Sequence, residues 1–309
     1  LLSYIGKRFV AMLITLWVII TLTFSLMHAI PGSPFDKERT TNETVTRNLE
    51  AHYNLDKPLI VQYFTYLKSL VTLDLGPSIS YSSDTVNNMI GRGFPVSFQL
   101  GIITLIIAVF SGITIGVLAA LKHNGLIDHL AMILAVIGLS IPNFILSTLF
   151  IKYIAVDWGL LPVATWGTWK HTVLPALALS SGPLAVIARL TRSNMLEVLT
   201  QDYIRTAKAK GLSPFTIVVK HALRNALLPV ITILGTLIAG VLTGSFVVEK
   251  IFAIPGMGKY FVDGINNRDY PVIMGTTLFY STLLIIMMFL VDIAYGLIDP
   301  RIKLHKKGE

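Results

Sequence analysis

The sequence predicts an all-α polytopic membrane protein, and three observations predict it. Hydrophobic residues fill 53% of the 309 positions and charged residues only 14%, against roughly 25% charged in an ordinary soluble domain; mean hydropathy is +0.69. Six segments are apolar enough to span a bilayer core, which a helix crosses in roughly 20 residues. The basic residues gather in the connections between those segments, so the net charge of +8 points to membrane topology rather than to nucleic acid. There is no cysteine, which excludes a disulfide framework and any thiolate-ligated metal or iron–sulfur centre.

The first segment, Phe9–Ile30, follows Lys7 and Arg8. It is too long for a signal-peptide core and lacks a small-residue cleavage site, so it reads as an uncleaved span. The stretch 31–94 is polar, of mixed charge and too long for a plain connection. Within it Pro58 opens a helix with Leu59, Ile60, Tyr63, Phe64, Leu67 and Leu70 on one apolar face, which suggests a small extracytoplasmic cap packed on the spans. Such a cap either meets a substrate-delivery protein or covers hydrophobic helix ends. Val96–Leu121 is uncharged and carries Gly101, Gly112 and Gly116, the small residues of close helix packing. A third span runs from about Leu130 to Ala155, with Ser140, Pro142 and Asn143 near its middle. The fourth, Val173–Ala188, is short and holds Pro175 and Pro183; a kinked or partly unwound helix is expected there. The fifth covers Ala226–Val248. The sixth runs from Pro271 to about Ile298, with Asp292 near its end as the acid closest to a span, either paired with Arg301 or acting in a proton relay.

With both termini placed in the cytoplasm, fourteen of the 25 Lys and Arg residues fall in the shorter, cytoplasmic connections, the bias expected of that orientation. The densest basic connection is QDYIRTAKAKGLSPFTIVVKHALRNALLPV, Gln201–Val230. It reads as two short helices around a corner. Basic residues suit the end of the first helix, Gly211 is a left-handed stop, Ser213 can cap the second helix and Pro214 sits in its first turn. Physically this is either a docking element for another protein or a basic loop that fixes topology. A second unusual stretch, Phe252–Gly275, places Pro255, Gly256 and Gly258 at a tight re-entrant corner, and Arg268-Asp269-Tyr270-Pro271 makes a polar start to the sixth helix. It could line an outer gate or plug helix ends.

Several chemistries find no motif. The string nearest to a phosphate loop is Gly258-Lys259, but Tyr260 follows it and Ala253 stands in the leading glycine position. No HExxH or GxSxG occurs, and the seven histidines are scattered. A membrane-embedded hydrolase therefore lacks a nucleophile or metal constellation. A secondary transporter would need ionisable groups at midplane, which the uncharged second, fourth and fifth spans do not provide.

The Gln201–Val230 loop resembles the cytoplasmic "EAA" loop of ABC importer permeases, with Ala207, Gly211, Leu228 and Pro229 in matching places. Arg205 replaces the usual Glu and Thr206 the first Ala, a departure shared with the oligopeptide/dipeptide (peptide/nickel) transporter family, where YIRTAKAKGL is close to the usual string. Pro31–Phe35 (PGSPF), the PGMG–RDYP segment and the Asp299-Pro300-Arg301-Ile302 ending are similar to the same family, in the same order, and the chain is most like its B-type subunits. The resemblance implies the type I ABC importer permease fold: six transmembrane helices with an extracytoplasmic insertion after the first. The parts are then 1–30, N-terminal segment and first helix; 31–94, the insertion; 95–300, the core permease domain, with a coupling loop at about 200–226; and 301–309, a cytoplasmic tail. Tyr203, Arg205, Thr206, Ala207, Lys208, Gly211 and Leu212 would form the coupling helix that sits in a cleft of an ATPase subunit, with Arg189 and Arg192 anchoring and positioning it. Pro255, Gly256, Gly258, Arg268, Asp269 and Tyr270 would form the gate segment. The implied partners are a second, related permease chain (a heterodimer), two cytoplasmic ATPases that bind ATP and Mg, an extracytoplasmic substrate-binding protein and the lipid bilayer, with no nucleic acid. The implied place is the inner or plasma membrane of a prokaryote, and the implied role is non-enzymatic import of oligopeptides or dipeptides. Nickel chelates, glutathione and haem are the family's other cargoes.

Overall fold

The computed structural model describes residues 2–29, 35, 43–81, 83–243 and 245–298. The Asp299–Ile302 ending, the tail 301–309, the Asp292 side chain and all of the PGSPF motif except the buried Phe35 lie outside the described residues. In chain order the helices are α1 (Leu2–Ala29), α2 (Glu43–His52), α3 (Leu59–Val71), α4 (Val86–Leu121), α5 (Leu126–Ser140), α6 (Asn143–Asp157), α7 (Trp169–Leu199), α8 (Asp202–Ala209), α9 (Pro214–Ala226), α10 (Leu228–Thr243), α11 (Phe246–Ile251), α12 (Met257–Asn267) and α13 (Tyr270–Ile298). Among the described residues the one β-type pairing is an isolated bridge between Pro77 and Thr85.

Four of these, α1, α4, α7 and α13, are single helices long and apolar enough to cross a membrane. Two bent pairs, α5 with α6 and α9 with α10, bring the number to six when each pair counts as one span. The third expected span is therefore not one straight helix. Pro142 forces the residue before it out of helical geometry: Ile141 is extended, at φ −90° and ψ 119°, and α6 leaves α5 at 106°. α6 ends in a π-helical stretch, Ile151–Asp157.

The fourth span is longer than expected and is not unwound. α7 runs unbroken for 31 residues through both Pro175 and Pro183. Each proline leaves one carbonyl of α7 without its helical donor, that of His171 for Pro175 and that of Leu179 for Pro183; the hydroxyls of Thr172, Ser180 and Ser181 bond other carbonyls, those of Trp169 at 2.7 Å, Leu177 at 3.0 Å and Ala178 at 2.9 Å. Neighbouring helices pack closely on this stretch. A Cβ on Gly116 of α4 would lie 2.6 Å from the Ala188 carbonyl oxygen, and one on Gly112 2.9 Å from Ile187; on the α5 side, a Cβ on Gly138 would lie 2.9 Å from the Ser181 oxygen. Glycines on two neighbours thus let both backbones approach α7 closely.

The chain forms two compact units, 1–96 with 256–285 and 97–255 with 286–309. In the first, α3 lies against α1: Tyr63 and Thr21 hydroxyls share a 2.7 Å hydrogen bond, and His28 Nε2 is 3.1 Å from Gln62 Oε1. The single apolar face expected of α3 is split. Tyr63, Leu67 and Leu70 turn inward, while Leu59, Ile60 and Phe64 are exposed. The second unit is built around α7, and α8 and α9 close its Leu199 end.

Candidate functional site

The loop after α7 is ordered by its own sequence. Asp202 stands in the first turn of α8 and Lys208 in the last, each favourable to the helix dipole. Gly211 adopts φ +73°, and around it the Gly211 amide donates to the Lys208 carbonyl at 3.0 Å and the Leu212 amide to that of Ala207 at 3.3 Å, the pairing of a glycine-stopped helix. Ser213 Oγ then accepts from the Thr216 amide at 3.3 Å, with Pro214 at the first position of α9. The corner has the conformation expected from its sequence.

Burial divides the loop into two faces. Ile204 and Ala207 point inward, into a core with Met195 of α7, Ala120 of α4, and Ile217 and Ala222 of α9. Tyr203, Arg205, Thr206, Lys208, Gly211 and Leu212 are exposed. Six of the seven residues singled out here therefore share the outer face, and Ala207 belongs to the chain's own interior. Asn225 of α9 donates to the Tyr203 hydroxyl at 2.8 Å, joining the two helices. The Arg205–Asp202 pair at 3.4 Å is fully solvated and adds little rigidity. Phe215, 77% exposed, projects from the same corner and was not singled out from the sequence. Beside Ile217, Val218 and Val219 it reads as one more apolar helix residue.

A second feature was also missed. Asp128, in the first turn of α5, is 3% exposed at its side chain and is clasped by Arg192 of α7: Nε donates to Oδ1 at 2.5 Å and Nη2 to Oδ2 at 2.7 Å. The Asn124 amide donates to Oδ2 at 2.9 Å, and His123 Nδ1 lies 3.3 Å away. Two parallel charge-assisted bonds make this the most specific polar contact of the unit. Arg192 is thus more than a topological anchor, because it fixes α5 to the part of α7 that leads into the loop. Starting the third span at Leu130 left Asp128 outside it. The remaining signal was a lone acid beside a long apolar run. Glu249 of α11 is a further fully buried acid, accepting from Ser245 Oγ at 2.6 Å.

The gate-segment residues fall into both units. Pro255 closes its stretch of the second. In the first, Gly256 is extended (φ −95°) and Gly258 is buried in α12, so the left-handed positions are Ala253 and Arg268 rather than the glycines. The requirement for glycine here is steric and lies at Gly93 of α4, where a Cβ would sit 3.1 Å from the Gly256 carbonyl carbon and Met257 nitrogen. Asp269 is fully buried and begins α13: its Oδ1 accepts from the Val272 amide at 3.2 Å, and its Oδ2 from Ser78 Oγ at 2.5 Å and the Ser80 amide at 2.9 Å. Tyr53 donates to the Ser78 carbonyl at 3.1 Å; burial first, and then the charge on Asp269, raises its phenol above the ordinary tyrosine range. Asp269 thus caps the start of α13 and holds the insertion to it, while the Tyr270 ring lies 5.4 Å from that of His28 of α1.

These features define a class: an all-helical protein with up to six membrane-spanning segments and an ordered, basic helix–corner–helix loop, without a metal-binding cluster among the described residues. Residues 112–304 match the family described as binding-protein-dependent transport system inner membrane component, and residues 1–101 match its N-terminal counterpart. The chain belongs to that family. It is 69% identical over 305 residues to the dipeptide transport system permease protein DppB of Bacillus subtilis (strain 168), covering 99% of each chain. It is 45% identical to the oligopeptide transport system permease protein OppB of Haemophilus influenzae, covering 98% of this chain and 100% of that one. Among solved structures, the MetNI methionine ABC transporter in an inward-facing form aligns with TM-score 0.58 at 19% identity, over 68% of this chain and 96% of the other. That likeness shows the type I permease fold.

Proposed function

We propose that this chain is one half of the translocation pathway of an ATP-driven importer of dipeptides or oligopeptides, working beside a related permease chain, two ATPase subunits and an extracytoplasmic binding protein. ATP and Mg would be held by the ATPases, and this chain would carry out no chemistry of its own. The peptide cargo follows from the names of the relatives DppB and OppB. In this reading the loop faces the cytoplasm, with both termini, in a prokaryotic inner or plasma membrane. The working parts are the insertion 31–94, the core 95–300 and the coupling loop at 200–226.

One observation carries the mechanism: the loop is sealed to the chain on one face and bare on the other. Leu212 and Phe215 are exposed apolar side chains beside the cations Arg205, Lys208 and Lys210, a surface suited to a partner's cleft. Ile204 and Ala207 pack on Met195 and Ala120, so a displacement of α8 is delivered to α7 and α4. ATPase closure would then drive a two-state change in helix packing between inward- and outward-facing forms. The gate segment would respond on the extracytoplasmic side, with Asp269 keeping α13 and the insertion together. Phe215→Asp with Leu212→Asp tests the reading. The double variant should insert normally yet lose co-purification with the ATPases and ATP-driven peptide uptake. Full uptake by that variant would exclude the loop as the docking element.

A further inference from the structure

The helix α3 is apolar on two faces, and its inward face provides a depth gauge. Gln62 meets His28, one residue from the end of α1. One position further on, Tyr63 bonds Thr21 and packs edge-on against Phe24, ring centroids 5.2 Å apart. A turn later, Tyr66 lines a small void with Ile19, Ile20 and Thr23 of α1 and with Met274 and Leu278 of α13. Contacts on α3 thus move along α1 from its Ala29 end toward its middle. Thr21 lies eight residues inside that end, about 12 Å along the helix axis at 1.5 Å per residue. On α13, Leu278 lies eight residues past Tyr270, about the same distance by the same measure. Two helices that cross the membrane therefore agree that α3 descends beside them, to a level that falls within the roughly 15 Å depth of one hydrocarbon leaflet.

The outward face of α3 is unsuited to water. Ile60 is 61% exposed, Phe64 60% and Val71, at the deeper end, 85%. The charged residue on that face is Lys68, whose long stem can carry its ammonium toward the headgroups. Trp17, Leu22 and Leu26 of α1 are exposed and apolar in the same way, as expected of a span in lipid. At 13 residues, α3 is about 20 Å long and too short to cross the core.

We propose that α3 is a half-depth membrane helix in the leaflet at the Ala29 end of α1, with Ile60, Phe64 and Val71 against lipid acyl chains. The insertion is then part lipid anchor and not wholly a cap above the membrane. The inference depends on α1 crossing the bilayer and is independent of the transported substrate. The absence of cysteine makes the test direct. Single cysteines at Ile60, Phe64, Val71 and Lys57 are spin-labelled in the full-length chain within phosphatidylethanolamine/phosphatidylglycerol vesicles, and collision rates are measured with oxygen and with a water-soluble nickel chelate. Labels at 60, 64 and 71 should favour oxygen several-fold, most strongly at 71, while position 57 favours nickel. Nickel preference at 64 and 71 would place the face in water. Exclusion of both reagents there would place it under another protein. Either result overturns the proposal.

Discussion

Removing Arg192 should be the most damaging single change to the second unit that leaves its apolar core intact. In Arg192→Ala the Asp128 carboxylate, 3% exposed, loses two bonds of 2.5 and 2.7 Å and keeps that from the Asn124 amide, while His123 Nδ1, 3.3 Å away, becomes free to donate to it once its contact with Arg192 Nη2 is gone. Removing one partner of a buried pair costs about 3–5 kcal/mol. Because one bond survives, a second can form and the Arg192 side chain is 23% exposed, the lower end applies, about 3 kcal/mol. Asp128→Asn should be milder, about 1–2 kcal/mol, since the guanidinium left behind reaches water. The double variant Asp128→Asn/Arg192→Ala should lose less than the sum of the singles, with a coupling energy of about 1–2 kcal/mol. The assay is denaturant unfolding of the purified chain in detergent, paired with uptake by the reconstituted transporter. If Arg192→Ala unfolded at the wild-type midpoint, or if Asp128→Asn cost more than Arg192→Ala, the argument from a buried, uncompensated carboxylate would be refuted.

Four other outcomes are expected. Gly211→Val meets no atom within 4 Å of its new Cβ but sits at φ +73°, so its cost is conformational, about 1–2 kcal/mol; uptake should fall while membrane insertion is unchanged, and wild-type uptake would reduce the loop to a topological anchor. Ala207→Ser should be tolerated and Ala207→Glu should not, because Ala207 is sealed in the core with Ile204 and Met195; protease susceptibility of the loop distinguishes the two. Reporters fused at Glu50 should read as outside and those at Lys210 or Lys307 as inside; an outward Lys210 would remove the docking reading. The purified chain alone should neither bind nor hydrolyse ATP, having no phosphate-cradling loop, and stoichiometric nucleotide binding would be the contrary result in a filter or calorimetric assay.

Local grammar was legible in the sequence and non-local compensation was not. The corner at Gly211-Leu212-Ser213-Pro214 involves neighbours a few residues apart, so its stop, cap and first-turn proline could be read directly. The prolines of the third and fourth spans show the limit. Pro142 breaks its span by 106°, whereas Pro175 and Pro183 pass through α7 without a break. The residue type is the same, and the difference lies in the glycine-lined neighbours packed on α7, which no single window contains. Asp128 was missed for the same reason, its partner lying 64 positions away. The exposed side of α3 was missed because one apolar stripe was assigned to one packing surface, whereas a helix between protein and lipid is apolar on both.

The distribution of contacts around α8 separates a lever from an anchor. An anchor needs only charge and a link to the next span, and its inner face can be loosely held. Here the inner face is fully enclosed at Ile204, with Met195 on α7 and Ala120 on α4 as its floor. A few residues earlier on α7, the Arg192–Asp128 clasp adds α5 to the same body. Close-packed interiors transmit displacement because they resist compression. A push on Leu212 and Phe215 would therefore be shared among three helices rather than absorbed by a hinge, and the 106° break at Pro142 is where the α5–α6 pair can respond. Variants of the bare face should then lose the ATPases and uptake together. Variants of the enclosed face or of the clasp should keep the ATPases bound and still lose uptake. A lever predicts both patterns from one chain, whereas an anchor predicts neither.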